Sequence, residues 1–221
     1  MTLQYDLVQY PTSDTIKIVT YLLERITKTN DRIQPSSRHA SPYACFYARA
    51  IPNIDIQSYL ARILKYCPCA NECFLSLLVY FDRMSRNSSG LRIDSYNIHR
   101  LIITGIMVAS KFFSDVFYTN ARYAKVGGLP VAELNTLELQ FLKLNNFKLN
   151  VQVEELQQYG DQLLLHWIRE HQIKRNSEDC YKKQEFKPMI RYSTSHTNCS
   201  SNLILSTEQQ MTEKYDSTTK C

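Results

Sequence analysis

Glycine is scarce in this sequence, with five in 221 residues, at positions 90, 105, 127, 128 and 160. No G-x-G-x-x-G fingerprint for a dinucleotide is possible, and no G-x4-G-K loop for a nucleotide phosphate; G-x-S-x-G is missing too. His39, His99, His166, His171 and His196 are scattered, and each reads as a surface or structural histidine rather than a base. No catalytic residue is assigned, and no cofactor or small-molecule substrate is expected. Long apolar runs are lacking as well. The most apolar stretch, Leu101 to Ala109, contains Thr104 and Gly105 and lies between Arg100 and Lys111, well short of the ~18 residues of a membrane span. A dense block of one charge is also absent: 26 basic and 21 acidic residues give +5, with Lys182-Lys183 the nearest approach to a basic run. Neither nucleic acid nor membrane is an expected partner.

The start, Met1-Thr2-Leu3-Gln4-Tyr5-Asp6, has no basic segment followed by an apolar one, so an intracellular protein of the cytoplasm or nucleus is expected. Asn87-Ser88-Ser89 and Asn198-Cys199-Ser200 then match the glycosylation pattern by chance. Seven cysteines, an odd number, point to free thiols in a reducing compartment. Three of them crowd into Tyr66-Cys67-Pro68-Cys69-Ala70-Asn71-Glu72-Cys73-Phe74. Their C-x-C-x3-C spacing differs from the C-x2-C or C-x4-C of zinc sites, and no histidine lies nearby. Buried or capping thiols are expected there, and no metal.

What is present is helical periodicity. Ser13 or Asp14 can cap a helix of about 14–29, carrying Ile16, Val19, Leu22, Leu23 and Ile26. A Pro- and Ser-rich segment follows, in which Tyr43, Phe46 and Tyr47 imply that it lies against something. From Asp55 the three-and-four spacing of Ile56, Tyr59, Leu60, Ile63 and Leu64 predicts a helix halted by Pro68, and a second begins near Asn71 and ends in the turn Asn87-Ser88-Ser89-Gly90. The clustered thiols therefore sit at a helix junction. Asp94 can cap a helix of about 95–114 that is apolar nearly all round, the mark of a hub buried on several sides. A short helix stops at Gly127-Gly128, Pro130 opens another with Leu134, Leu137, Phe141 and Leu144 on one stripe, and a last one runs over about 153–170. Beyond His171 the chain turns polar, with Leu203-Ile204-Leu205 its one apolar cluster, and reads as a largely disordered tail.

Two charges fall in apolar company. Glu138 lies between Leu134 and Phe141, and Lys111 lies one turn after Met107. Lys111 can snorkel from a helix end, and Glu138 can join an internal salt bridge; otherwise both face a partner. Arg62 and Asp82, on successive helices, are expected to pair internally.

The stretches SYLARILKYCPCANECFLSLLVYFDRM, DSYNIHRLIITGIMVASKFF and YTNARYAKVGGLPVAELNTLELQFLKLNNFKL together resemble a cyclin box, in particular the single-box cyclins of plant U/P type and of the fungal phosphate-response type. The resemblance implies an all-α fold: one five-helix box centred on its third helix, an extra N-terminal helix, a following C-terminal helix and a disordered tail. In residues, that is an N-terminal helix region at 1–32, a linker packed on the box at 33–53, the box and following helix at 54–170, and the tail at 171–221. It further implies a non-catalytic regulatory subunit that binds and activates a cyclin-dependent kinase in cell-cycle or nutrient control. Lys111 and Glu138 resemble the family's grip on the kinase's regulatory helix, with Phe112 and Phe141 supplying contact area, and Arg62 and Asp82 resemble its internal pair. The apolar, Trp-ended patch by which some cyclins recruit Arg-x-Leu substrates has no counterpart in Leu60-Ala61-Arg62-Ile63-Leu64-Lys65-Tyr66-Cys67-Pro68. The competing class is a transcription-linked adaptor of the same fold that binds DNA or scaffolds other proteins.

Overall fold

A computed structural model describes residues 4–33, 43–87 and 91–184, with side chains as far as residue 172. The chain divides into two compact units, residues 1–178 and 179–221, and of the second only the end of the last helix is described. Most of the expected linker, residues 34–42, the expected turn at 88–90 and the expected tail from 185 on lie outside the described residues. Among the described residues seven α-helices appear in order: α1 (Thr12–Asp31), α2 (Ile56–Tyr66), α3 (Asn71–Asn87), α4 (Ile98–Phe113), α5 (Asn120–Gly127), α6 (Val131–Leu144) and α7 (Val153–Gln184). Among the described residues there is no strand, and no helix is long and apolar enough to cross a membrane.

The hub is α4. From Ile98 to Ser110 every residue but Arg100 is buried, and the helix packs against α2, α3, α5 and α6. Each fully buried Ile or Leu contributes roughly 1.5–3 kcal/mol. Close approach of α3, α4 and α6 depends on Gly105: a Cβ there would run into Leu77 Cδ1 and lie 3.1 Å from Phe141 Cζ.

Several ends differ from the sequence reading. Pro11, not Ser13 or Asp14, precedes the first turn of α1, and Asp14 instead pairs with Lys17 within the helix at 2.7 Å. Asp94 begins a turn rather than α4: its carbonyl accepts from Asn97 and Ile98, and its carboxylate from Tyr96 N–H at 2.9 Å, so the helix starts at Ile98. α7 continues to Gln184, past the expected end at 170. The stop at Gly127-Gly128 is as read: Gly128, at φ 72°, closes α5 in the left-handed region. Asp55 accepts from Ser58 N–H to cap α2, and Thr119 from Arg122 N–H to cap α5.

The segment before α2 is fastened down. Phe46 is fully buried, and Arg100 donates to the carbonyls of Cys45 and Tyr47 at 3.1 and 2.8 Å while pairing with Glu133 at 2.5 Å. The chain start is fastened too. Tyr5 is buried against Gly160 of α7, shares a 2.6 Å hydrogen bond with Thr15, and donates its N–H to Asp161 at 2.7 Å. A second clasp joins α1 to α7: Glu170 accepts from Tyr21 and pairs with Arg25, each at 3.0 Å.

The thiols of the α2–α3 junction occupy this core. Cys67 ends α2 with its N–H on Ile63 O at 2.7 Å, and Cys73 receives the Ser110 hydroxyl at 3.8 Å. A hydrogen bond from Cys69 to Cys73, aided by burial, pushes the Cys69 thiol far above its usual range and holds Cys73 below it. Cys45, Cys67, Cys69 and Cys73 are free. Among the described residues no group of three His, Cys, Asp or Glu is placed to hold a metal ion.

Candidate protein-docking surface

After Arg100 in its first turn the hub helix stays uncharged until its last turn, where Lys111 stands. On α6, Leu134, Leu137 and Phe141 form the buried stripe, and Glu138 lies at its edge. The two elements meet there. Lys111 Nζ donates to Glu138 Oε1 at 2.7 Å, and Asn120, at the start of α5, donates to Oε2 at 2.9 Å and to Asn135 Oδ1 at 2.7 Å. Both carboxylate oxygens are thus engaged inside the protein, whereas the ammonium group spends one of three N–H donors and can offer the others outward. The pair is neither sealed nor free: the side chains keep 27% and 19% exposure.

Large apolar side chains stand in water at the end of α4, in the loop after it and after α6. Phe112 is 46% exposed and leans edge-on against Phe113 at 5.0 Å; Phe117, in the loop that follows, is 52% exposed, and Phe147, after α6, 62%. Phe112 and Phe147 share an open cleft of about 650 Å³ whose other walls include Arg83, Arg86, Lys148 and Leu149. Exposed aromatics grouped with unspent donors are the composition of a protein interface rather than of a plain surface.

The loop carrying Phe147 is held by its own caps. Asn146 N–H donates to Lys143 O at 2.9 Å and Phe147 N–H to Leu142 O at 2.8 Å, a Schellman closure of α6 with Asn146 left-handed at φ 52°. Phe147 continues left-handed at φ 56°. Arg83 of α3 then pins the loop, donating to Lys148 O at 2.9 Å and Asn150 O at 3.0 Å and pairing with Glu155 at 2.9 Å, and Tyr80 donates to Leu149 O at 2.8 Å.

Of the residues expected at the surface, Lys111, Glu138 and Phe112 come together and Phe141 does not. Phe141 is fully buried, edge-on to Tyr80 at 6.0 Å, because it completes the stripe on which α6 packs against α3 and α4. The expected Arg62–Asp82 pair is not formed. Asp82 is taken by Arg86, one turn on, at 2.6 Å and by the Tyr159 hydroxyl of α7 at 2.8 Å, whereas Arg62 lies on the exposed side of α2 and donates to Lys125 O at 3.4 Å. Phe147, Phe117, Asn120 and Asn135 were not anticipated. The doublet Asn145-Asn146 after the apolar stripe was a signal for a left-handed cap that would turn the next aromatic out of the core.

The cyclin family model matches residues 13–149, from α1 through α6. The chain is 44% identical over 175 residues to the PHO85 cyclin-like protein psl1 of Schizosaccharomyces pombe, covering 74% of this chain and 72% of that one. It is 46% identical over 182 residues to PHO85 cyclin-7 of Saccharomyces cerevisiae, covering 73% and 64%, and 44% identical over 117 residues to Cyclin-U4-1 of Arabidopsis thaliana, covering 53% and 58%. With six helices inside the matched region and the hub at its centre, the chain belongs to the cyclin family.

Proposed function

We propose that this cyclin is the regulatory subunit of a cyclin-dependent protein kinase and docks on it through the surface around Lys111 and Glu138. The observation that carries the reading is the part-buried Lys111–Glu138 pair next to exposed Phe112, which shares a cleft with exposed Phe147. A kinase of this class has a mobile helix whose inward position brings its Glu to the ATP-binding Lys. In this reading the exposed Phe112 and Phe147 cover one face of that helix, and the spare Lys111 donors meet a carbonyl or carboxylate on it. The kinase carries out phosphoryl transfer; the cyclin supplies position and no catalytic group.

Two relatives are named as cyclins of PHO85, and the partner of this chain is read as a kinase of that kind, with an output in nutrient response or the cell cycle. The protein acts inside the cell, in cytoplasm or nucleus. The test is capture of the full chain from its native cell, followed by assay of the bound fraction for serine/threonine kinase activity. Recovery of a kinase whose activity requires the chain supports the reading, and recovery of DNA-bound or scaffold proteins without a kinase refutes it.

A further inference from the structure

A second face, built from α2 and α5, uses none of the residues assigned to kinase docking. Arg62, Lys65, Arg122 and Lys125 project from it, and the two helices, IQSYLARILKY and NARYAKVG, contain no acidic residue. None of the four cations is in an ion pair with a described carboxylate, and Asp55, before α2, has both oxygens on Ser58, at 2.7 and 2.8 Å.

The cations are also partly fixed in place. Arg122 donates Nε–H to Tyr66 O at 2.8 Å and lies over the Tyr118 ring at 4.0 Å; Arg62 donates to Lys125 O at 3.4 Å; Lys65 lies over the Tyr66 ring at 5.5 Å. Each guanidinium keeps the rest of its five donors for an outside acceptor. Like charges held together without counter-ions raise a local potential, which an anionic partner lowers on binding.

We infer that this face binds an acidic segment of another protein, a run of Asp and Glu side chains lying along the α2–α5 seam. The layout favours a run over a single phosphate. Arg122 is anchored at Tyr66 and Arg62 one helical turn away, so the guanidinium groups form a line rather than converging on one point. Nucleic acid is less suited, since the Tyr118 and Tyr66 rings that could stack bases already lie beneath Arg122 and Lys65.

The test needs no kinase, so its failure is separable from failure of the kinase reading. Full-length chain is titrated, at low and at physiological salt, into a labelled short peptide of Asp and Glu, its Asn/Gln counterpart, a neutral peptide with one phosphoserine, and a short single-stranded DNA. Expected is saturable binding of the acidic peptide at least about tenfold tighter than the Asn/Gln one, weakening as salt rises. Arg62→Gln/Arg122→Gln should weaken it by about tenfold or more. Because Arg122 also braces Tyr66, the second variant, Lys65→Gln/Lys125→Gln, breaks no hydrogen bond made by those side chains and should still weaken binding several-fold. Equal binding of acidic and neutral peptides, wild-type affinity in both variants, or tighter binding of the phosphopeptide or the DNA would each overturn the inference.

Discussion

A bulky residue in the left-handed region carries a cost of about 1–2 kcal/mol, and Phe147 carries it while burying little of its ring in the free protein. On the docking reading its value lies in what the ring touches outside. Phe147→Gly is accordingly expected to leave the melting temperature unchanged or slightly raised, and to weaken kinase capture about tenfold; a clear fall in melting temperature with normal capture would refute the assignment. Lys111→Ala is expected to behave differently. It removes a part-exposed bridge that exists in the free protein, so stability should drop by about 1 kcal/mol or less. Affinity for the kinase should fall at least about tenfold, roughly 1.4 kcal/mol. Measuring both quantities on one preparation separates the roles, and a binding loss no larger than the stability loss would reduce the pair to a structural bridge. A third residue senses acid. His99 donates Nε2–H to Ile54 O at 2.8 Å and leaves a buried Nδ1 with no partner, so burial holds its pKa below the ordinary 6.5. Since the unfolded chain takes up the proton first, the stabilising preference for the neutral ring is complete above about pH 6.5 and is lost as pH falls toward the folded value. His166, lowered by burial and by Arg25, adds to the same trend. The fall in melting temperature between about pH 7 and about pH 5 should therefore be smaller in His99→Gln than in wild type, though not abolished.

Among the elements, the crossing of α4 with α3 and α6 is the least forgiving. Gly105→Ala would press a methyl group on fully buried Leu77 and Phe141, neither of which has room to yield, so a loss of about 1–3 kcal/mol is expected in denaturant unfolding. This crossing also explains why some elements were legible in the sequence and others were not. α2, α3 and α4 each bury a stripe or more of their surface, so three-and-four spacing had to be written into them. Helix ends depend on single hydrogen bonds, which is why Asp94 could be assigned to α4 when it serves the preceding turn. Beyond His171 the sequence has no apolar stripe, so nothing periodic announced that α7 runs to Gln184. The same logic divides the site. Lys111 and Glu138 stood out as charges in apolar surroundings, whereas Phe141 and Phe147 are one residue type with opposite fates, separated by a cap that stripe-counting does not see. Arg62 and Asp82 were paired as opposite charges on successive helices, but each meets a nearer partner, Lys125 O for Arg62 and Arg86 for Asp82.

On the scale of the molecule, polar contacts link the two ends of the first compact unit. Glu170 holds Tyr21 and Arg25 from the last helix, so a chain ending at Gln172 keeps that clasp and one ending at Arg169 loses it. The longer truncation product is expected to melt with the full chain and to activate the kinase equally, the shorter to melt lower; a large loss of activation in the chain ending at Gln172 would show that residues past it take part. The hook formed by Tyr5 carries a different consequence. Its N–H bonds to Asp161, 156 positions later, and its ring rests on Gly160. A ribosome delivers those partners only after all of the first six helices and the start of α7 have been made. Tyr5, translated before every helix described, is therefore among the last residues to complete its native contacts: Thr15 and Tyr10 are within reach early, but its N–H and one side of its ring wait for α7.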